Sequence, residues 1–303
     1  MVEGAGEHSL RSAAPGPGGG TLYVVATPIG NLGDVSQRAL ETLRNVALIA
    51  AEDTRMTHRL LARYEIRTRT TSYHAKSGPG RAQELLRRLR EGDDLALVTD
   101  AGTPAISDPG EDLVTAWAAE EGAVVAIPGA SAVLAAIAAT GIAGPRWSFE
   151  GFLPRTGRER RERLARIAGD ERGTVIYEAP TRLAGTIRDL AATCGQARPA
   201  AVCRELTKLH EQVVRGSLAE LGTAVGDGTI PARGEITIVI GAVADTGAAG
   251  LGATSSARGG SAEDITAAIA AVEALVAAGT PRSEAARTVA RETGLPRREL
   301  YKR

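Results

Sequence analysis

The chain has few aromatic residues, few cysteines and no excess of charge of either sign. Aromatic residues are only 3% of its 303 residues, so its cores must be packed mainly from Ala, Val, Leu and Ile. The two cysteines, Cys194 and Cys203, are too few for a disulfide framework and lack the spacing of a metal site. We therefore expect a reduced, cytoplasmic chain with no metal.

Lysine plus arginine and aspartate plus glutamate both number 36, so the formal net charge is zero. Indiscriminate coating of nucleic acid needs a strong basic excess, because neutralised phosphates supply that affinity. Any contact with nucleic acid must therefore be local and dependent on shape.

One uncharged stretch, Gly122 to Pro145, is long enough to suggest a membrane span. However, Pro128-Gly129 follows the β-rich run Ala123 to Ile127, which indicates a buried strand, a turn and an Ala-rich helix. The first twenty residues contain no apolar segment typical of a signal peptide. We predict that the protein neither spans a membrane nor binds one.

The length suits about two domains of roughly 100–200 residues each, and the Gly and Pro content is too low for a low-complexity chain. Apolar strands alternate with amphipathic helices, which indicates a parallel sheet covered on both faces. We predict an α/β fold with a mostly parallel N-terminal sheet, a mixed C-terminal sheet and a small helical module. The predicted segments are a disordered arm (1–20), two α/β domains (21–143 and 146–242), a flexible linker (243–260) and the helical module (261–303).

The most informative segment is Thr99 to Gly110, which follows the predicted strand Leu95 to Val98. It combines small residues that let a ligand approach the backbone with two carboxylates, and we expect Asp108 to cap a helix that Pro109 opens. A tight turn is the alternative. Ligands of open α/β sheets bind outside the carboxyl ends of strands, and small or polar loops follow three further strands here, at residues 27–34, 52–55 and 128–132.

Several motifs occur along the chain in a fixed order. They are Thr27-Pro-Ile-Gly-Asn-Leu-Gly-Asp34, Glu52-Asp-Thr-Arg55, Asp100-Ala-Gly-Thr-Pro104, Ser107-Asp-Pro-Gly110, Pro128-Gly129, Arg204-Glu-Leu-Thr-Lys208 and Gly234-Glu235. With these motifs in this order, the chain resembles the 16S rRNA (cytidine 2′-O)-methyltransferase family, within the tetrapyrrole-methylase superfamily. The resemblance runs from about residue 21 to residue 242, and the helical tail is similar to that family's helix-turn-helix module.

The resemblance implies S-adenosylmethionine as methyl donor, two αβα domains with the donor in the cleft between them, a homodimer, and small-subunit 16S rRNA as partner. It also implies a set of donor-binding residues. They are Asp100, Ala101, Gly102, Thr103, Pro104, Ala105, Ser107, Asp108, Pro128, Gly129, Ser131, Tyr177, Glu178, Ala179, Gly234 and Glu235.

A ribose 2′-hydroxyl is a weak acid, so its proton must be removed or its charge stabilised. Candidate catalytic residues are His74, Glu52, Asp53, Arg55, Glu205 and Lys208. His74 has a purely structural alternative, and Glu205 with Lys208 could be a solvated pair at a helix start.

The sequence departs from the family pattern at three places, which are the loop 75–80, Thr181 in place of the usual histidine, and Glu111 in place of a common aromatic. These departures bring into question a mechanism that uses a second histidine, but not donor binding.

Two other functions remain open, a tetrapyrrole-precursor methyltransferase and a non-catalytic rRNA-binding factor. A basic helix favours RNA, although it could be a solvated face; its arginines are Arg155, Arg158, Arg160, Arg161, Arg163 and Arg166. In the tail, Arg297, Arg298, Lys302 and Arg303 give the predicted last helix a basic surface, and a self-packed or dimer-stabilising appendage is the alternative.

Overall fold

The computed structural model describes residues 19–243, 262–293 and 300. The chain divides into two compact units, one ending at Ala249 and the other beginning at Gly250. The predicted disordered arm and flexible linker lie almost wholly outside the described residues. Gly20, at the end of that arm, is buried and donates its N–H to Leu89 O at 2.7 Å.

The first half of the larger unit is a parallel sheet with helices. Its order is β3-β2-β4-β1-β5, and every pairing is parallel, which confirms the predicted parallel sheet. The elements are β1 (Thr21–Val25), α1 (Gln37–Asn45), β2 (Leu48–Ala51), α2 (Thr54–Arg63), β3 (Thr70–Ser72), α3 (Pro79–Arg90), β4 (Leu95–Val98), α4 (Glu111–Ala119), β5 (Ala123–Ile127) and α5 (Ala132–Thr140).

The second half contains a mixed sheet of order β6-β7-β10-β8-β9. Strands β6 and β7 are parallel and the other pairs antiparallel, which confirms the predicted mixed sheet. The elements are β6 (Trp147–Phe152), α6 (Gly157–Gly169), β7 (Gly173–Glu178), α7 (Leu183–Cys194), β8 (Pro199–Arg204), β9 (Gln212–Ser217), α8 (Leu218–Gly226) and β10 (Ile236–Ile240).

Helix starts follow from polar side chains at the cap positions. Ser36 accepts from Ala39 N, Asp53 from Arg55 N and Ser131 from Leu134 N, which satisfies backbone donors that have no partner within the helix. Helix α5 ends at Gly141 with φ of 68°, a conformation that glycine adopts without steric cost. The uncharged stretch is thus a strand, a turn and a nine-residue helix. Within the described ranges, no helix has both the length and the apolar character needed to cross a membrane.

Three apolar clusters surround the two sheets. Alternate residues of the parallel sheet point to opposite faces, so Ile49 packs with α1 and α2, and Leu48 packs with α3 and α4. A further cluster joins α5 to the mixed sheet through Val133, Val175 and Val239. This cluster fixes the position of one sheet relative to the other, and therefore the shape of any cavity between them.

The smaller unit contains α9 (Ala262–Ala277) and α10 (Arg282–Thr293). Val272 and Val289 pack in its core together with Leu300. The basic residues of the predicted last helix lie outside the described residues.

Candidate active site

A cavity of about 350 Å³ lies between the loops of the parallel sheet and the mixed sheet, within the size range of small-molecule sites. Its walls come from the loops after β1, β4 and β5, and from β6, β7 and the start of β10. The lining residues are Ile29, Ala101, Gly102, Thr103, Ile106, Ser107, Asp108, Ser131, Ala132, Phe152, Tyr177, Glu178, Ala179, Pro180, Gly234, Glu235, Ile236 and Thr237.

The loop after β4 is tied to the end of β1. Thr27 and Gly102 exchange backbone hydrogen bonds of 2.8 and 3.1 Å, and the Thr27 hydroxyl donates to Thr99 O at 3.0 Å. Ala105 and Ser107 both have φ of 65°, which is uncommon for residues with a Cβ. Such strain persists only where the surrounding structure holds it, and it clusters at functional sites.

Glycines allow two close approaches around the site. Between the two halves, a Cβ on Gly151 would lie 2.9 Å from Ser107 Oγ, and within the first half a Cβ on Gly129 would lie 3.0 Å from the Ala26 Cβ. Gly102 has space for a side chain, with its nearest neighbour at 3.5 Å, but its φ of 84° favours glycine.

The prediction that Asp108 caps a helix is wrong. Helix α4 begins at Glu111, and its cap residue is Gly110, which has φ of 124° and no side chain to donate or accept. The left-handed turn at Gly110 moves the helix start two residues along the chain and leaves Asp108 in the cavity wall. Burial, aided by the nearby carboxylates of Glu52 and Asp100, raises the pKa of Asp108 to about 6.

Glu52 and Asp53 lie beside this wall because β2 and β4 are neighbours in the sheet. Asp100 N donates to Glu52 Oε2 at 3.3 Å, and Asp53 N donates to Asp100 Oδ1 at 3.0 Å. Burial raises the pKa values of both Glu52 and Asp100. Arg55 pairs with Asp53 at 2.6 Å, and these hydrogen bonds lower the pKa of Asp53 to about 2.

His74 follows β3 at the same edge of the sheet. Its Nδ1 accepts from Lys76 N at 3.2 Å, and its backbone N–H donates to Ser77 Oγ at 2.9 Å. The imidazole is exposed and does not line the cavity. The structure therefore brings His74, Glu52, Asp53 and Asp100 together on the rim rather than inside.

Glu205 and Lys208 occupy a turn between β8 and β9, so the alternative of a helix-start pair is wrong. Lys208 Nζ lies 2.9 Å from Glu205 and 3.1 Å from Glu235, which lines the cavity. The Lys208 side chain also covers Gly30 of the first half, where a Cβ would lie 2.4 Å from its Cγ. Lys208 thus connects the two halves beside the cavity.

Glu178 has its carboxylate buried beneath the cavity floor. The carboxylate accepts from Ala179 N at 2.8 Å and from the Thr186 hydroxyl, and it pairs with Arg182 at 3.2 Å. These bonds satisfy the carboxylate inside the protein, so Glu178 holds the turn after β7 in place.

Eleven of the residues that the resemblance implied for donor binding line the cavity, and five do not: Asp100, Pro104, Ala105, Pro128 and Gly129. These five shape or support the loops instead. The sequence interpretation did not select Ile29, Ile106, Ala132, Phe152, Pro180, Ile236 and Thr237. The sequence did contain a signal that could have identified Phe152, because Phe149 and Phe152 are the chain's two phenylalanines and lie three residues apart.

Two family comparisons agree with this geometry. Residues 21–222 match the tetrapyrrole (corrin/porphyrin) methylases, and residues 263–303 match the RsmI C-terminal HTH domain. The chain is 46% identical to ribosomal RNA small subunit methyltransferase I of Synechocystis sp., over 93% of this chain and 96% of that one. It is 43% identical to the protein of the same name from Xylella fastidiosa, over 93% and 98%.

The chain belongs to the ribosomal RNA small subunit methyltransferase I family. The resemblance seen in the sequence is therefore confirmed, and the protein is a methyltransferase that uses S-adenosylmethionine.

Solved structures of other methyltransferases have a similar fold. Cobalt precorrin-4 methyltransferase superimposes with a TM-score of 0.57 at 20% identity, over 73% of this chain and 94% of that one. Uroporphyrin-III C-methyltransferase from Thermus thermophilus, complexed with S-adenosyl homocysteine, gives 0.54 at 17% identity, over 73% and 97%.

The cavity suits S-adenosylmethionine, which carries a sulfonium cation. Three of its lining residues, Asp108, Glu178 and Glu235, carry carboxylates and none is cationic. Glu178 pairs with Arg182 and Glu235 with Lys208, whereas Asp108 has no ion pair among the described residues, so its carboxylate favours positive charge in the cavity. Gly102, Gly234 and the small residues of the loop after β4 leave backbone groups accessible to a ligand.

Proposed function

We propose that this protein methylates the 2′-hydroxyl of a cytidine ribose in 16S rRNA of the small ribosomal subunit. Two observations support the proposal, namely relatives named as small-subunit rRNA methyltransferases and a cavity lined by carboxylates without cations. We assign the cationic donor to this cavity because its lining residues include carboxylates and no cation.

S-adenosylmethionine supplies an electrophilic methyl group with a good leaving group when it is bound. We propose that Ala101, Gly102, Thr103 and Ser107 hold it from the first half, and Tyr177, Ala179 and Gly234 from the second. Asp108 and Glu235 face the positive charge. Positioning alone accelerates such a displacement strongly, since effective molarities of oriented groups reach roughly 10⁵–10⁸ M.

The hydroxyl must lose its proton as the new O–C bond forms. Glu52 and Asp108 are the carboxylates best suited to accept that proton, because burial raises the pKa of each toward neutrality. Asp53 is held ionised by Arg55 and is a poorer base. We assign His74 to the outer rim, and Lys208 with Glu205 to positioning Glu235.

Helix α6 and the segment just before it offer four exposed arginines to RNA: Arg155, which precedes the helix, and Arg158, Arg161 and Arg166 on it. The other two arginines of the predicted basic face point inward. Arg160 is buried and bonds Asp189, Thr186 and Pro154 O, and Arg163 pairs with Glu150. We propose that the exposed four contribute phosphate contacts, and that the helical module from residue 261 adds a second RNA contact.

A cytoplasmic homodimer remains part of the proposal, as does the division into domains 21–143 and 146–242. The proposed substrate depends neither on the homodimer nor on these domain boundaries.

The decisive test incubates the protein with labelled S-adenosylmethionine and three acceptors: small subunits reconstituted from unmodified 16S rRNA, the naked rRNA, and uroporphyrinogen III. We expect label in a cytidine ribose of the rRNA, located by nuclease digestion and mass spectrometry. Label that enters only the tetrapyrrole would refute the proposal.

A further inference from the structure

A groove adjoins the donor cavity on the side of the mixed sheet. It is lined by Phe152, Arg155, Ala179, Thr181 and Arg182. Phe152 and Ala179 also line the cavity, so the two spaces share a wall. A molecule in the groove would therefore lie directly beside a molecule in the cavity.

Phe152 is unusually placed for a phenylalanine. Its side chain is 54% exposed, although the chain has only two phenylalanines with which to build its cores. Both contact Tyr177, with ring centroids 4.9 Å apart for Phe149 and 5.6 Å apart for Phe152. The Phe152 ring is thus supported by an aromatic neighbour and still exposes surface, as base-stacking side chains of RNA-binding proteins do.

The charges of the groove are opposite to those of the cavity. The groove is lined by two arginines and no carboxylate, whereas the cavity has carboxylates and no cation. Arg182 is engaged by Glu178 and by Leu153 O at 2.7 Å. Arg155 is exposed and has neither ion pair nor hydrogen bond among residues 19–243, 262–293 and 300. A cationic donor would therefore favour the cavity, and an anionic acceptor would favour the adjoining groove.

We propose that this groove holds the methyl-accepting nucleotide of the RNA, with its base stacked on Phe152 and its phosphate at Arg155. This placement brings the ribose to the shared wall and hence to the donor. The inference rests on the proposed function, because it assigns the groove to the RNA that the proposed function takes as substrate.

Two substitutions of Phe152 separate stacking from simple packing. Phe152→Tyr keeps an aromatic ring, whereas Phe152→Leu keeps an apolar wall for the donor and removes the ring. With small subunits of unmodified 16S rRNA and saturating S-adenosylmethionine, we expect Phe152→Leu to raise KM about tenfold, the range of base–aromatic stacking. Phe152→Tyr should stay within about twofold of the wild type by the same comparison.

Arg155→Gln tests the phosphate contact against Arg188→Gln, a matched control on the exposed face of α7. Loss of one contact to single-stranded RNA should lower the slope of log affinity against log salt by about 0.7. The control should leave the slope unchanged. Neither variant should change the affinity for S-adenosylhomocysteine measured by calorimetry, because neither residue lines the cavity.

A spectroscopic measurement tests the same contact without turnover. In Phe152→Trp, RNA added to the complex with S-adenosylhomocysteine should quench the new indole fluorescence beyond the change of the wild type, which contains Trp117 and Trp147. Absence of that quenching, or a wild-type KM for Phe152→Leu, would overturn the groove assignment while the proposed function stands. A wild-type enzyme that methylates no rRNA would refute the proposed function and this inference with it.

Discussion

Asp100 accepts a hydrogen bond from the backbone N–H of Asp53 at 3.0 Å, which joins the loops that follow β4 and β2. Asp100 in turn donates its own N–H to Glu52 at 3.3 Å. These bonds hold three carboxylates at one edge of the parallel sheet, next to Asp108 in the cavity wall. The edge is therefore strongly acidic, and its charge depends on pH in the range where the enzyme would work.

The first prediction concerns Asp108 and donor affinity. Its raised pKa, about 6, means that the carboxyl becomes neutral as the pH falls through that value. The attraction for a sulfonium then weakens, so S-adenosylmethionine should bind less tightly at pH 5.5 than at pH 7.5. In Asp108→Asn the affinity measured by calorimetry should be low at pH 7.5, with a smaller dependence on pH. If Asp108→Asn kept the wild type's dependence of affinity on pH, a group other than Asp108 would be responsible for that dependence.

The same residue gives a second prediction, for stability. A carboxyl whose pKa is raised by folding stabilises the protein below its unfolded pKa and loses that contribution as the pH rises through the folded pKa. Asp108→Asn should therefore raise the free energy of unfolding at pH 7.5 by about 1 kcal/mol, a value reduced for solvent screening. The gain should disappear near pH 4 in urea titrations, and a gain that persists there would contradict this cause.

Gly102→Val should weaken binding of S-adenosylhomocysteine through the backbone rather than through crowding. The φ of 84° is unfavourable for a β-branched residue, so the loop must change path. Gly185→Ala is a suitable control, since it lies within α7 with open space around it. Calorimetry on folded variants measures both, and wild-type affinity for Gly102→Val would place the donor elsewhere.

Two arginines of α6 should differ sharply in their effect on stability. Arg160 is buried and bonds Asp189 at 2.7 Å, whereas Arg158 is exposed and pairs with Glu162 on its own helix. Arg160→Gln should lower the free energy of unfolding by about 2–3 kcal/mol, and Arg158→Gln by no more than about 0.5 kcal/mol. Urea titration compares the two directly. A loss for Arg160→Gln as small as the one expected for Arg158→Gln would mean that the network around Arg160 adds no stability.

Deletion of residues 261–303 should leave donor binding intact and raise the apparent KM for small subunits. The deleted helices pack in a core of their own, within the separate unit that begins at Gly250. A tethered second contact increases effective concentration at the substrate. Calorimetry with S-adenosylhomocysteine is the control. Full-length rates at low subunit concentration would exclude a role for this module in substrate binding.

Much of the fold could be predicted because its signals are local. The apolar run Leu95 to Val98 became β4, and the uncharged stretch became β5 and α5 around the turn at Pro128. The start of α4 could not be located in the same way. It depends on the left-handed conformation of Gly110, which moves Asp108 from a cap position into the cavity wall.

The order of strands and loops along the chain was enough to identify which loops form the first half of the site. Parallel strands place their carboxyl ends at one edge, so the loops after β1, β2, β4 and β5 had to meet. The residues that face these loops follow from long-range packing. Lys208 over Gly30, and Gly151 against Ser107, are contacts between residues far apart in the chain. They exist because α5 packs on the mixed sheet through Val133 and Val239, and no local pattern of residues encodes that orientation.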